Sequence, residues 1–229
     1  MIDIHSHALP FVDDGSKSIE CSVEMLRKAI KQGVTDIILT PHHKKAFQTT
    51  PEQLKNEFEI FNEAKNKEKL PINLYLGHEI FMHKESTGLL LENKLLTLNG
   101  TKYVLVEFKV SEFSDIVERV YELTKEGFKP IVAHAERYRY FTLADAQEVK
   151  DLGGYIQVNA NSIKGRHKRT WKRRVKKLFR LGLVDFVASD LHEHRDNVLK
   201  KTKRWVKFHY GSKVANAVFE LNAKEIIKG

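Results

Sequence analysis

Two histidines stand two residues apart at the start of the chain, in Ile4-His5-Ser6-His7. On an extended segment, side chains at i and i+2 share a face, so both imidazoles can offer nitrogen to one metal ion. Asp190-Leu191-His192 repeats the spacing with one oxygen and one nitrogen donor. Single donors sit at His42, Glu79, Glu107 and His134, and Asp13-Asp14 lies in a loop soon after His7. This mixture of imidazoles and carboxylates suits manganese, iron or zinc better than magnesium or calcium. It contains no thiolate, which argues against a structural zinc. Asp14, Glu79, Glu107 and Asp190 bring four negative charges. One divalent ion leaves such a site negative, whereas three make it positive and attractive to phosphate. The nine candidate ligands (His5, His7, Asp14, His42, Glu79, Glu107, His134, Asp190 and His192) likewise suit two or three ions better than one. A centre of this kind can stabilise the attacking and leaving oxygens of phosphoester hydrolysis. Arg137, three residues after His134, offers a two-pronged donor for phosphate oxygens.

The elements that must position these residues alternate from end to end. Short β-branched runs occur at 2–4, 35–40, 72–76, 103–108, 130–133, 155–158 and 185–188. Helical patterns fall at 17–32, 51–68, 114–126, 142–152 and 168–181, with more helix after 196. Glycine often closes a helix just before the next strand, as at Gly33, Gly127, Gly153-Gly154 and Gly182. Unbroken β/α alternation predicts a parallel sheet, closed as a barrel or open and doubly wound. Donor residues follow nearly every strand, and only a barrel gathers those ends at one mouth. The expectation is an α/β fold, a seven-stranded barrel in a single domain over residues 1–229.

Composition narrows the class further. The 229 residues are 41% apolar with a single cysteine, so the chain can build a core but no intramolecular disulfide framework. No apolar run approaches the ~18 residues of a membrane span, and Met1 leads straight into Ile-Asp-Ile-His without a leader profile. A cytoplasmic protein is expected. The net charge of +9 is local: ten Lys/Arg and no acid lie between Lys164 and Arg180, and elsewhere 29 bases meet 30 acids. Trp171, Val175 and Leu178 recur there at helical spacing, so the segment reads as an amphipathic helix with a cationic face for something anionic.

Taken in order, Met1-Ile-Asp-Ile-His-Ser-His7, Val12-Asp-Asp-Gly15, Thr40-Pro-His42, Gly77-His-Glu79, Val106-Glu107, Ala133-His-Ala-Glu-Arg-Tyr138 and Ala188-Ser-Asp-Leu-His192 resemble the polymerase-and-histidinol-phosphatase (PHP) superfamily. Within it the likeness is greatest to the bacterial protein-tyrosine phosphatases of capsule and exopolysaccharide loci. The resemblance spans essentially the whole chain. It implies a distorted seven-stranded barrel with three metals, usually manganese. It implies that His5, His7 and Asp190 hold one ion, with Glu79 bridging to a second completed by Glu107 and His134. Asp14, His42 and His192 would hold the third. A metal-bridging hydroxide would attack phosphorus in line while Arg137 holds the phosphoryl group. The usual substrate is the phosphotyrosine-rich tail of a bacterial tyrosine autokinase that controls polysaccharide export. The family often places another phosphate-binding arginine several residues beyond its Asp-x-His motif. Here Arg195 follows His192 by only three residues, and either shares that work or lies on the surface.

Other features are discounted. Cys21 and Arg27 have the Cys-x5-Arg spacing of cysteine-dependent phosphatases, but the residues between them lack glycine. Ile19, Val23, Leu26 and Ile30 make that segment a helix instead. His43 and His78 neighbour candidate ligands and should face away from them. His83, His167, His194 and His209 carry no ligand spacing. Asp13 competes with Asp14 as the loop ligand, and only the resemblance favours Asp14. Asp3 and Glu136 are expected either to orient ligating imidazoles or to form simple salt bridges. Phe11, Phe47, Phe81 and Tyr138 either flank a phosphotyrosine ring or pack.

The leading function is therefore a manganese-dependent protein-tyrosine phosphatase. Its basic helix would draw an acidic or multiply phosphorylated tail, or the anionic membrane surface. A small-molecule phosphatase of the histidinol-phosphate type has no evident use for that helix. A PHP-type nuclease could use it to track nucleic acid, although Trp171 and Phe179 alone make a poor stacking platform. A non-enzymatic basic binding module ranks last, because every ligand position holds a competent ligand.

Overall fold

The computed structural model describes residues 1–164 and 168–228, so Arg166 and His167 of the basic segment lie outside the described residues. The strands are β1 (Ile2–Ser6), β2 (Asp36–Leu39), β3 (His42–His43), β4 (Asn73–Leu76), β5 (Glu79–Phe81), β6 (Tyr103–Glu107), β7 (Lys129–Val132), β8 (Tyr155–Asn159) and β9 (Phe186–Ala188). Every pairing is parallel, in two sheets ordered β1-β2-β4 and β3-β5-β6-β7-β8-β9. The first strand meets the last at their C-terminal ends. There Ser6 bridges Leu191, His7 N–H donates to the Leu191 carbonyl at 2.9 Å, and Asp190 N–H donates to the His5 carbonyl at 3.0 Å. The result is an α/β fold whose parallel strands curl around a shared mouth.

Where the sequence offers seven β-branched runs, the described residues form nine strand segments. Two of the runs are each followed by a further short strand, β3 after β2 and β5 after β4, that the sequence reading did not include. Pro41 has no N–H for the ladder and separates β2 from β3. Opposite it, Gly77-His78 separates β4 from β5, and a Cβ on Gly77 would press on Leu98. The carbonyls still bridge the gap, with Gly77 N–H on Leu39 and Glu79 N–H on Pro41.

The helices follow the expected spans closely: α1 (Ile19–Lys31), α2 (Pro51–Lys67), α3 (Ser86–Leu91), α4 (Ile116–Lys125), α5 (Leu143–Asp151), α6 (Ala160–Lys164), α7 (Arg169–Arg180), α8 (Leu199–Asn216, interrupted at Gly211) and α9 (Lys224–Lys228). Thr50 and Thr142 close capping boxes with Gln53 and Asp145, which is why α2 and α5 begin where they do. The short α3 and α6 have too few residues to show a period.

Two apolar clusters divide the sheet faces. One lies inside the curl and joins Ile2, Ile4, Ile38, Leu105, Ile131, Phe186 and Ala188, with Ile226 of α9 against it. The other joins the outward residues Ile37, Val104, Val132, Ile156 and Val187 to the helices. Burial on both faces is what a parallel sheet sheathed in helices requires. Among the described residues no helix is long and apolar enough to cross a membrane.

Candidate metal centre

At the mouth the inward apolar residues give way to polar ones. On β6 the inward series Tyr103, Leu105 ends at Glu107, and on β9 Phe186, Ala188 ends at Asp190. On β1 the pairing register shifts between Asp3 and Ser6, which carries the inward face from Ile2 and Ile4 to His5 and His7.

Glu79 stands at the centre, fully buried. Its Oε2 lies 3.2 Å from His5 Nε2, 3.3 Å from His7 Nε2 and 2.9 Å from His42 Nδ1, and its Oε1 lies 2.8 Å from His134 Nε2. Glu107 adds an oxygen 3.0 Å from His42 Nδ1 and another 3.7 Å from His134 Nε2. Three groups of donor atoms converge within 4.8 Å: His5, His7 and Asp190; His42, Glu79 and Glu107; and His7, Asp14, His42 and His192. Asp14 is the most exposed of them, with Oδ1 3.6 Å from Nε2 of both His42 and His192. His134 touches the second group through Glu79 and Glu107. All nine expected residues thus meet at one mouth.

Hydrogen bonds around the donors fix which atoms face inward. His7 Nδ1–H donates to Asp13 Oδ2 at 2.6 Å and His5 Nδ1–H to Gln157 Oε1 at 3.2 Å, leaving each Nε2 with its lone pair. Those two Nε2 atoms face each other at 3.2 Å, with Glu79 Oε2 and Asp190 Oδ1 beside them. With both Nε2 atoms deprotonated, four acceptors converge among the described residues, a donor set suited to a cation. The carboxylates draw positive charge to these histidines, so a proton and a metal ion would compete for the same nitrogens. Burial works against charge on His7 and His42, yet the neighbouring carboxylates Asp13, Glu79 and Glu107 lift them to about 9 and about 11. Against the same penalty, His5 and other cations hold Glu79 and Asp190 well below the usual carboxylate range.

Backbone conformation also serves the site. His134 and Asp190 both adopt left-handed φ, at 33° and 50°, a strained setting for residues with side chains that turns each towards the mouth. Gly15 is required because a Cβ there would overlap the His7 carbonyl oxygen.

The two arginines meet on one carboxylate: Arg137 Nη2 and Arg195 Nη1 lie 2.8 and 2.6 Å from Asp190 Oδ2. Arg195 is therefore at the mouth and not merely on the surface. Asp13 spends both oxygens on the loop, accepting from His7, from His42 N–H at 3.0 Å and from Gly15 N–H at 2.9 Å. That leaves Asp14 as the loop carboxylate aimed at the histidines.

Asp3 and Glu136 do neither thing expected of them. Asp3 accepts from the backbone and hydroxyl of Ser189, and burial pushes it up to about 6. Glu136 accepts from Ser162 and Asn159. Both tie loops to strands and touch no ligating imidazole, because the imidazole Nδ1 positions are already served by Asp13 and Gln157. Gln157 escaped the sequence reading. Its signal was Gln157-x-Asn159, two polar residues sharing a face of a buried strand. Gln157 also accepts from His134 N–H, and Asn159 donates to Asp190.

The remaining residues fall as expected. His78 turns away and accepts the Leu96 N–H at 2.9 Å. His43 packs against it, and His83, His194 and His209 are exposed. Cys21 lies on α1 against Met25, and Arg27 pairs with Glu68. Phe47 stacks over His42 near the exposed Phe11, whereas Tyr138 packs between Phe108 and Phe141. Phe81 is half-buried in a separate groove beside Phe113.

The profile of the family described as "Capsular polysaccharide synthesis, CpsB/CapC" matches residues 1–228. The tyrosine-protein phosphatase CpsB of Streptococcus agalactiae is 33% identical, covering 100% of this chain and 98% of that protein. The tyrosine-protein phosphatase YwqE of Bacillus subtilis is 34% identical over 84% of this chain and 77% of its own length. A crystal structure from work on YwqE and Streptococcus pneumoniae CpsB, described as unique metal-dependent tyrosine phosphatases, superposes with a TM-score of 0.89 at 31% identity, over 94% of this chain and 90% of that one. This chain belongs to the CpsB/CapC family of capsular polysaccharide synthesis proteins.

Proposed function

We propose that this chain is a metal-dependent tyrosine-protein phosphatase acting in capsule or exopolysaccharide synthesis, with a bacterial tyrosine kinase as its phosphoprotein substrate. The observation that carries the metal is the meeting of His5 Nε2 and His7 Nε2 at 3.2 Å beside Glu79 and Asp190, four acceptors that a cation reconciles. His5, His7 and Asp190 would hold one ion, Glu79, Glu107 and His134 a second, and Asp14, His42 and His192 a third. The donor chemistry suits manganese, with iron or zinc as alternatives. When bound, these ions supply Lewis-acid stabilisation of phosphoryl oxygens and an activated water nucleophile. We read the nine strand segments as the seven staves of a distorted barrel, with β2–β3 and β4–β5 each forming one stave, in a single domain.

The protein's own residues do the rest. Arg137 and Arg195, whose guanidiniums gather on Asp190 Oδ2 at the mouth, would hold the phosphoryl oxygens. Phe47 and Phe11 border the mouth where a phenyl ring would enter. Asp13 and Gln157 keep His7 and His5 in the tautomer that presents Nε2. Phe179 is buried and stacks on Tyr210, so it does not serve as a stacking platform for nucleic acid on the basic helix.

Phosphate release from a phosphotyrosine peptide by chelator-stripped protein tests this, with and without Mn. A matched phosphoserine peptide and a short oligonucleotide run alongside. Metal-dependent release confined to phosphotyrosine is expected; cleavage of the oligonucleotide alone would overturn the reading.

A further inference from the structure

A second recess opens beside the metal centre. It has a volume of 480 Å³ and is lined by Ser111, Arg137, Arg139, Lys168, Trp171 and Arg174 among others. Arg137 joins the two sites: Nη2 lies 2.8 Å from Asp190, and its guanidinium carbon lies 5.5 Å from the centre of the Trp171 ring. Arg174 is committed to the fold, donating to the carbonyls of Tyr138 and Phe141. It thereby pins the N-terminal half of α7 against the loop that carries Arg137. Arg139 and Lys168 are exposed, and among the described residues neither lies within salt-bridge distance of a carboxylate. The one acid in the lining, Glu136, is buried and turned to Ser162 and Asn159.

We propose that this recess is a subsite for an acidic side chain, Asp or Glu, flanking the phosphotyrosine of the substrate peptide. The inference rests on the phosphatase reading and adds a sequence preference to it. The recess is concave and one guanidinium away from Asp190, so whatever enters it is joined to the group being hydrolysed. A flat lipid surface would address the outer face of α7, at Lys172, Arg173 and Lys177, not this recess. An extended chain advances about 3.3 Å per residue, which places the acidic residue within about three positions of the phosphotyrosine. Arg139 and Lys168 recognise its carboxylate, while Arg137 remains with the phosphoryl group.

The test is a positional scan of phosphotyrosine peptides, with a single Glu moved from three residues before to three after the phosphotyrosine and a Gln series as control. Wild type is expected to favour Glu over Gln by about fivefold in kcat/KM at one or two positions, the scale of an exposed ion pair, and to lose the preference in salt. R139Q and K168Q, singly and together, should bring the Glu/Gln ratio at those positions to one. Hydrolysis of both series at equal rates by wild type overturns the subsite but leaves the phosphatase reading intact. Release from no phosphotyrosine peptide overturns both. A preference that persists in the double variant overturns the assignment to Arg139 and Lys168. So does loss of co-sedimentation with phosphatidylserine vesicles in that variant without any Glu preference in wild type, which would give the recess to lipid.

Discussion

Asp13 Oδ2 lies 2.6 Å from His7 Nδ1 and also accepts the backbone N–H of His42, so one buried carboxylate sets the orientation of two metal-facing histidines. Although burial works against its charge, the His7 imidazole holds Asp13 down at about 2. Substituting Asp13→Asn keeps the shape and removes the charge that makes His7 a strong ligand. Metal affinity should fall by about 10- to 100-fold with the fold intact. Chelator competition with Mn reads this directly, and an unchanged affinity would remove Asp13 from the metal site.

Removing the two strand-end imidazoles together is a harsher test. The double variant His5→Ala, His7→Ala should lose at least about 10³-fold in phosphate release, equivalent to about 4 kcal/mol of transition-state stabilisation. Circular dichroism should stay near wild type, because the apolar core beneath is untouched. Full turnover in this variant would sink the metal assignment.

Arg137 and Arg195 share an oxygen of Asp190 but are held differently. Arg137 is 13% exposed and backed by Trp171, whereas Arg195 is 35% exposed. Replacing Arg137 by Lys removes a fixed planar fork and should lower kcat/KM for a phosphotyrosine peptide by about 10²-fold. The Arg195→Lys change should cost less, because a mobile side chain contributes less preorganisation. Equal losses would mean that the two act as one clamp.

His78 gives a pH signature in stability. Burial first, and the neighbouring His43 second, press its imidazole down to about 3, and Nδ1 must stay unprotonated to accept the Leu96 N–H. The unfolded chain therefore binds a proton below the ordinary value of 6.5 that the native chain refuses. This contribution to stability is complete above that value and is lost as pH falls towards 3. At about pH 5 the loss is about 2 kcal/mol, whatever the folded value below that pH. His78→Gln keeps an acceptor without a titrating group. Urea unfolding should show the wild-type advantage over His78→Gln shrinking by that amount between about pH 7 and pH 5. A constant gap would contradict the neutral, buried imidazole.

The donor residues were legible because metal chemistry admits few residue types and strand geometry sets their spacing. His5-x-His7 and Asp190-x-His192 show both in the sequence. The basic helix was legible from its period, but its direction was not: only packing through Arg174 and Trp171 brings its first turn to the mouth. The short strands β3 and β5 were not legible, because beyond Pro41 and Gly77 the residues His42-His43 and Glu79 are polar and carry no strand pattern of their own.

By itself the sequence determined the α/β alternation, the donor set and the family, since these follow from local pattern and residue chemistry. Which donor atoms face one another, that Asp13 supports while Asp14 faces the histidines, that Gln157 rather than Asp3 orients His5, and that Arg195 reaches Asp190 were decided only by tertiary structure. Each depends on distances between residues far apart along the chain, and in the case of His5 on a register shift that reverses which face of the strand looks inward.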